Sequence, residues 1–270
     1  MGPETPLLWT AIGAGVGLLG AMLGIGGGLF VSPLLLHHYE HIAKLDSTHV
    51  APLATATSLL SVWATSLSGT LGHARQRNVA FREALSAALS GAITSWTVTR
   101  FITTQPWYRP EVPRLVLVSL FALLLLRMLF EGRSFRSSDR AFLGWVSPLV
   151  GVAAGMLSAL VGVGGGVVMV PLWHYWGGME MRRAAGTSMA AILPISTVAL
   201  ITYAVRGWGL SGLPPHSLGY VDYGTALPLL VGGILGAPLG SRLASRISPI
   251  WLRRIFALVA LGMIGYLLAS

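Results

Sequence analysis

The sequence predicts an all-α integral membrane protein made of two four-segment repeats. Of its 270 residues, 54% are hydrophobic and only 10% are charged, whereas a water-soluble globular domain has about 25% charged residues. A glycine cluster inside a long uncharged stretch occurs twice, at residues 24–28 and 162–166. At an offset of 138, ten of the 22 positions from 13 to 34 are identical to their counterparts, which indicates an internal repeat.

Uncharged runs along the chain predict the membrane segments. A helix needs about 20 apolar residues to span a bilayer, and flanking arginines that extend toward the headgroups allow shorter runs. Eight runs come near this length: residues 7–36, 47–72, 84–99, 115–126, 141–179, 184–205, 223–241 and 255–270. We therefore expect a first transmembrane repeat at residues 1–131, a basic linker loop at 132–140 and a second transmembrane repeat at 141–270.

The first and fifth runs are too long for a single membrane helix. Residues 7–36 would form a helix of about 45 Å at 1.5 Å per residue, well beyond a hydrocarbon core of about 30 Å. Each glycine in a helix interior also costs about 1 kcal/mol relative to alanine. We therefore expect a break at each glycine cluster. The broken segment either crosses the membrane as a discontinuous helix or turns back as a re-entrant hairpin.

The basic residues distinguish these two arrangements. If all eight segments cross, the 18 lysines and arginines divide ten to eight between the two sides of the membrane, and if the first and fifth are re-entrant, they divide thirteen to five. The positive-inside rule requires a strong bias, so the distribution favours re-entrant segments, inverted repeats and external termini. Inverted repeats with broken helices are typical of secondary transporters, which bind their substrate where the breaks meet.

The glycine clusters predict an anion site. A half-helix that starts inside the membrane leaves about four backbone N–H groups without partners, and lipid cannot bind them. The same helix end carries about half a positive charge, and glycine lets a ligand approach the bare backbone. The candidate substrate-binding glycines are Gly26, Gly27, Gly28, Gly164, Gly165 and Gly166. For isolated pairs such as Gly13 and Gly17 we expect close helix packing instead.

Hydroxyl and guanidinium groups complete the candidate site. Two Thr-Ser pairs, related by an offset of 130, open the second and sixth segments, and they either donate to substrate oxygens or bond to their own helices. Two arginines at segment ends either pair with an oxyanion or extend to the interface. The further candidate substrate-binding residues are Thr57, Ser58, Thr187, Ser188, Arg100 and Arg242.

Several other functions are disfavoured by the sequence. The chain has no cysteine, and no Gly-x-Ser-x-Gly motif of a serine hydrolase occurs in it, so we expect no catalytic residues, no cofactor and no enzyme activity. His37, His38, Glu40 and His41 form a single metal-like cluster, which we assign to an interfacial loop, so no metal site is predicted. The net charge of +9 is typical of cytoplasmic loops that contact lipid headgroups, and it does not indicate nucleic-acid binding. The expected partners are the lipid bilayer and a small anionic substrate, with a homo-oligomer left open.

These motifs together resemble the sulfite exporter TauE/SafE family, also called the 4-toluene sulfonate uptake permease family. The resemblance covers nearly the whole chain and rests on the doubled Gly-x-Gly-Gly-Gly with its following proline, Pro33 or Pro171. It rests also on the two Thr-Ser pairs and on the glycine-rich run 232–242, which ends in Arg242. The first-half counterpart, 90–100, retains only Gly91 and Arg100 of that run.

The resemblance implies a multi-pass permease of the cell inner (cytoplasmic) membrane that moves sulfite or organosulfonates. The residues by themselves indicate a membrane transporter for a small anion. A passive anion channel would use the same glycine geometry and is the main alternative. An intramembrane enzyme is the weaker one.

Overall fold

A computed structural model of the chain describes residues 5–130, 145–244 and 246–247, together with positions 258, 261, 262, 264 and 265. The described chain is mostly helical, as predicted. Its helices are α1 Thr5–Leu23, α2 Gly28–His37, α3 Ser47–Arg75, α4 Phe81–Thr97, α5 Glu111–Phe130, α6 Val146–Val161, α7 Gly166–Tyr175, α8 Met181–Arg206 and α9 Tyr223–Ala244. Two π-helical turns, His38–Ile42 and Val98–Ile102, extend α2 and α4, and a short antiparallel hairpin pairs β1 Ser217–Leu218 with β2 Val221–Asp222.

Several helices have the length and composition of membrane spans. Within the described residues these are Pro6–Leu23, Ser47–Arg75, Met181–Arg206 and Tyr223–Ala244, and Val146–Val161 is a shorter apolar helix. The predicted third and fourth runs lie in α4 and α5. The predicted linker at 132–140 and most of the run at 255–270 lie outside the described residues. The chain is therefore a helical protein with several membrane-spanning candidates.

Both long runs break at their glycine clusters. Gly24, Gly26 and Gly27 have φ angles of 73°, 72° and 82°. The corresponding glycines of the second cluster, at positions 162, 164 and 165, have φ angles of 73°, 78° and 82°. These angles lie in the left-handed region, which is unfavourable for residues that have a Cβ atom. The two copies of the motif therefore adopt the same local conformation, and both use glycine for the same backbone reason.

The helices that flank each break lie side by side. In the first half, the rings of Trp9 and His38 are 5.3 Å apart, and a Cβ placed on Gly27 would lie 2.5 Å from Val16 Cγ1. In the second half, Trp173 Nε1 donates to Ser147 Oγ at 3.1 Å. A Cβ on the second-half equivalent of Gly27, at position 165, would lie 2.5 Å from the Cβ of residue 154. Contacts between residues that are distant along each helix pair mean that α2 folds back along α1 and α7 along α6.

Each of these hairpins packs against a helix of the other half through glycine. Gly13 of α1 meets the Leu229 backbone of α9, and Gly17 meets the next turn of α9. Gly155 of α6 meets the Gly91 backbone of α4. The residue numbers rise together in both pairs, so α1 runs parallel to α9 and α6 runs parallel to α4. These backbone approaches agree with the packing interpretation of the isolated glycine pairs.

The histidine-rich segment is helical, which corrects the expected interfacial loop. Residues 38–42 form a π-helical turn that continues α2. The rings of His37 and His41 stack with their centroids 4.6 Å apart, as expected for side chains one turn apart on a helix. Arg114 of α5 forms an ion pair with Glu40, with 2.7 Å between Nη2 and Oε2. This turn therefore contacts a neighbouring helix.

Candidate functional site

The two glycine clusters meet at the centre of the molecule. A Cβ placed on Gly28 would lie 2.5 Å from the Gly162 carbonyl oxygen, and one placed on Gly166 would lie 2.5 Å from the Gly24 carbonyl oxygen. All six predicted cluster glycines are buried. The structure therefore brings the two sets of predicted glycines together, with the start of α2 beside the end of α6 and the start of α7 beside the end of α1.

Backbone amides are left uncapped at the starts of α2 and α7. In the described part of the chain, the first hydrogen bond across the start of α2 runs from the Phe30 amide to the Gly27 carbonyl at 3.0 Å. The corresponding bond in α7 runs from the Val168 amide to the Gly165 carbonyl at 3.1 Å. Neither helix has a side-chain cap. Each start therefore presents free N–H groups and the positive end of a helix dipole to the same region.

Two apolar side chains close the glycine clusters. A Cβ on Gly26 would lie 3.1 Å from Val62 Cγ1 and 3.3 Å from Ile192 Cδ1. A Cβ on Gly164 would lie 2.6 Å from Val62 Cγ1 and 3.0 Å from Ile192 Cγ2. Val62 and Ile192 occupy equivalent positions of α3 and α8, at an offset of 130. Val62 and Ile192 therefore both lie against the middle glycines of the two clusters.

Hydroxyl groups bind the carbonyl oxygens at the C-terminal end of α6. A helix end inside a protein needs such partners because its last carbonyls have none within the helix. The bonds run from Tyr203 to Ala159 at 2.7 Å, from Tyr108 to Leu160 at 2.8 Å, from Ser32 to Val161, and from Ser58 to Gly162 at 2.9 Å. The predicted donor Ser58 therefore already binds the second glycine cluster.

In the first half, His73 occupies the position equivalent to Tyr203. Its Nε2 lies 3.0 Å from the Ala21 carbonyl oxygen, in the last turn of α1. Neither these tyrosines nor His73 belong to the site residues predicted from the sequence. The signal that could have found them is their polar rings at the ends of otherwise uncharged runs, where a buried polar group requires a partner.

The predicted threonines hold the starts of two helices. The Asp222 amide donates to Thr57 Oγ1 at 3.1 Å, just before α9, and the Ala80 amide donates to Thr187 Oγ1 at 2.9 Å, just before α4. These two bonds are equivalent in the two halves. Ser188 Oγ, by contrast, is fully buried and has no hydrogen-bond partner among the described residues.

The predicted arginines lie away from the buried glycine contact. Arg100 is exposed in the π-helical turn that follows α4, with its guanidinium carbon 5.8 Å from the centre of the Phe101 ring. Arg242 is exposed in the last turn of α9. The structure therefore places both at segment ends and does not bring them to the clusters.

A buried carboxylate that sequence reasoning missed lies at the start of α9. Asp222 is 1% exposed and accepts hydrogen bonds from Tyr39 Oη at 2.9 Å, Thr225 Oγ1 at 2.7 Å and the Gly224 amide at 3.0 Å. It therefore caps α9 and links this helix to the turn after α2 through Tyr39. The signal was an aspartate directly before an apolar run, which is typical of a helix N-cap.

The described residues contain no group of three or more His, Asp or Glu side chains that could hold a metal ion. Glu40, the carboxylate of the histidine-rich segment, is engaged by Arg114. The polar groups that the structure places at the glycine clusters include the backbone amides at the starts of α2 and α7 and the hydroxyl group of Ser58.

Comparison with known proteins decides the family. The sequence profile of the sulfite exporter TauE/SafE family matches residues 9–267. The chain belongs to this family. It is 28% identical over 268 residues to a probable membrane transporter protein of Methanocaldococcus jannaschii, covering 96% of this chain and 93% of the relative.

Other relatives of this TauE/SafE protein carry the same description. A probable membrane transporter protein of Xylella fastidiosa is 28% identical over 274 residues, covering 97% of this chain and 95% of the relative. The probable membrane transporter protein YjnA of Bacillus subtilis is 25% identical over 261 residues, covering 93% and 94%. No solved structure matches the chain. The TauE/SafE protein is thus a multi-pass membrane protein of a transporter family.

Proposed function

We propose that this TauE/SafE protein is a secondary transporter that moves small sulfur-containing oxyanions, such as sulfite or organosulfonates, across the cell inner membrane. The observation that carries the proposal is the contact between the two glycine clusters at the buried centre, where the uncapped start of each short helix meets the other cluster: Gly28 meets Gly162, and Gly166 meets Gly24. Family membership supports transport, and the family's description supports sulfite as the substrate class.

The proposed site binds an oxyanion through the backbone. An anion with several oxygens accepts hydrogen bonds from the free amides of α2 and α7 at once, and both helix dipoles favour its charge. The missing Cβ atoms of Gly26 and Gly164 let the anion approach these amides closely. Binding of this kind requires no bond to be made or broken, so we propose a permease rather than an enzyme.

We propose that the α1–α2 and α6–α7 hairpins are re-entrant and enter from opposite sides of the membrane. The side-by-side arms of each hairpin support this arrangement. The thirteen-to-five division of basic residues also supports it. The repeats are then inverted, and both termini are external. Alternating access follows when one half rocks against the other and displaces Val62 and Ile192.

A transport assay with the purified full chain in liposomes tests the proposal. We expect saturable uptake of at least one of sulfite, thiosulfate, sulfoacetate and an aromatic sulfonate, above protein-free liposomes. Flux that responds to an imposed ion gradient distinguishes a secondary transporter from a passive channel. Absence of protein-dependent flux for all four anions would contradict the proposed substrate class.

A pair of glycine variants locates the site. Gly26 and Gly209 have φ angles of 72° and 74°, so alanine is strained equally at both positions. A Cβ on Gly26 enters the proposed site, whereas a Cβ on Gly209 meets nothing within 4 Å. We expect Gly26→Ala to lose transport and Gly209→Ala to retain it. Equal transport by the two variants would place the substrate elsewhere.

A further inference from the structure

A buried hydroxyl group beside the first glycine cluster has no hydrogen-bond partner within the part of the chain that the structure describes. Ser66 of α3 is 0% exposed, and its Oγ is the atom nearest to Gly26, 3.0 Å from the position of a Cβ there. This oxygen has no hydrogen-bond partner among the described residues. A serine inside a helix ordinarily bonds to the carbonyl one turn earlier, and Ser66 does not. Its hydroxyl is therefore available to a ligand at the start of α2.

The equivalent serine of the second half is engaged. Ser196 lies 130 positions after Ser66 on α8, and its Oγ donates to the Ile192 carbonyl oxygen at 2.8 Å. The atoms nearest to a Cβ on Gly164 are carbons of Val62 and Ile192. Within the described residues, the surroundings of Gly26 and Gly164 thus differ: an unpartnered hydroxyl lies beside Gly26, and the nearest atoms to a Cβ on Gly164 are apolar.

We infer that Ser66 is a substrate-binding residue, whose hydroxyl donates a hydrogen bond to an oxyanion held at the start of α2. This inference rests on the proposed function. The anion then lies closer to α2 and α3 than to α7 and α8, although the two halves have the same fold around the glycines. The ligand class is an anion with an exposed oxygen acceptor, such as sulfite or a sulfonate, because a hydroxyl donor and backbone amides select oxygen acceptors together.

Removal of an unpartnered hydroxyl and removal of a structural hydroxyl have different effects on the melting temperature. A buried polar group without a partner destabilises the ligand-free protein, so Ser66→Ala should leave the melting temperature unchanged or raise it. A hydroxyl that holds the fold together would lower the melting temperature when removed. The ligand-free melting temperature therefore separates a binding role from a structural one.

Isothermal titration calorimetry tests the inference, with the purified full chain in lipid nanodiscs titrated with each of the four anions of the transport assay. For the anion that wild type binds, we expect Ser66→Ala to raise the Kd about tenfold or more, the loss expected for a hydrogen bond to a charged group. The matched variant Ser196→Ala should keep the wild-type Kd. Ser66→Thr, which retains the hydroxyl, should bind more tightly than Ser66→Ala.

The possible outcomes separate this inference from the proposed function. A wild-type Kd in Ser66→Ala, while wild type binds and transports, overturns the inference and leaves the function standing. Equal weakening by Ser66→Ala and Ser196→Ala, or a lowered melting temperature of Ser66→Ala, also overturns it. Absence of binding of all four anions to wild type overturns the proposed function and this inference with it.

Discussion

Gly28 and Gly162 meet backbone to backbone at the centre of the molecule, so closely that a Cβ on Gly28 would lie 2.5 Å from the Gly162 carbonyl oxygen. The same approach is repeated between Gly166 and Gly24. In each contact, the start of a helix from one half therefore packs against the end of a helix from the other half. Glycine at these positions serves two purposes, because it allows the hairpins to touch and it leaves the amides of α2 and α7 uncovered.

Alanine in this contact should separate the hairpins. Gly28→Ala and Gly166→Ala each place a methyl group against backbone, which cannot yield as a flexible side chain can, so we expect each to destabilise the protein by about 1–3 kcal/mol. Thermal unfolding of the purified protein measures the effect. Gly15→Ala is the control, since Gly15 is an exposed residue of α1 whose Cβ would meet nothing within 4 Å. A melting temperature unchanged in both cluster variants would show that the contact tolerates a side chain.

The threonine hydroxyls should matter for stability and not for affinity. Thr57→Val and Thr187→Val remove the acceptors of the Asp222 and Ala80 amides. Leaving a buried amide unsatisfied costs about 1–3 kcal/mol, so we expect lower melting temperatures with an unchanged Kd for the transported anion. Calorimetry and thermal unfolding of the same samples measure both. A weaker Kd without a loss of stability would instead make these hydroxyls substrate ligands.

Ile192 should control access to the clusters. Ile192→Ala removes the methyl groups that lie beside Gly26 and Gly164, so we expect faster anion flux into liposomes. Ile195→Ala is the matched control, since Ile195 is also fully buried in α8 but packs against Gly91. Both variants should lose about 2–5 kcal/mol of stability. Similar flux in the two variants would argue against Ile192 as a barrier.

The sequence predicted the local features of the fold better than its polar contacts. Both helix breaks were predictable because glycine at a positive φ and the length limit of a membrane helix are local properties. The bonds from Tyr108 to Leu160 and from Tyr39 to Asp222 were not, because each joins residues that are far apart in the chain. For the same reason, the sequence could not distinguish Ser66 from Ser196: the two serines have equivalent positions, and only the packed structure leaves one of them without a partner.

The absence of cysteine from the sequence allows the topology to be tested with single engineered thiols. Ser47 and Ser211 are exposed beside membrane-spanning candidates, and Ser134 lies in the predicted basic linker, outside the described residues. If the two hairpins are re-entrant, Ser47→Cys and Ser211→Cys react with an impermeant maleimide from the external side, and Ser134→Cys reacts only from the cytoplasmic side.

A fully crossing fifth segment predicts different labelling. Five crossings would then separate Ser47→Cys from Ser211→Cys, which would lie on opposite sides of the membrane, and two crossings would separate Ser134→Cys from Ser211→Cys, which would lie on the same side. Either pattern in intact cells would exclude the inverted repeats. The starts of α2 and α7 would then lack the symmetric approach to one anion from opposite faces of the membrane, and the proposed alternating access would lose its geometric basis.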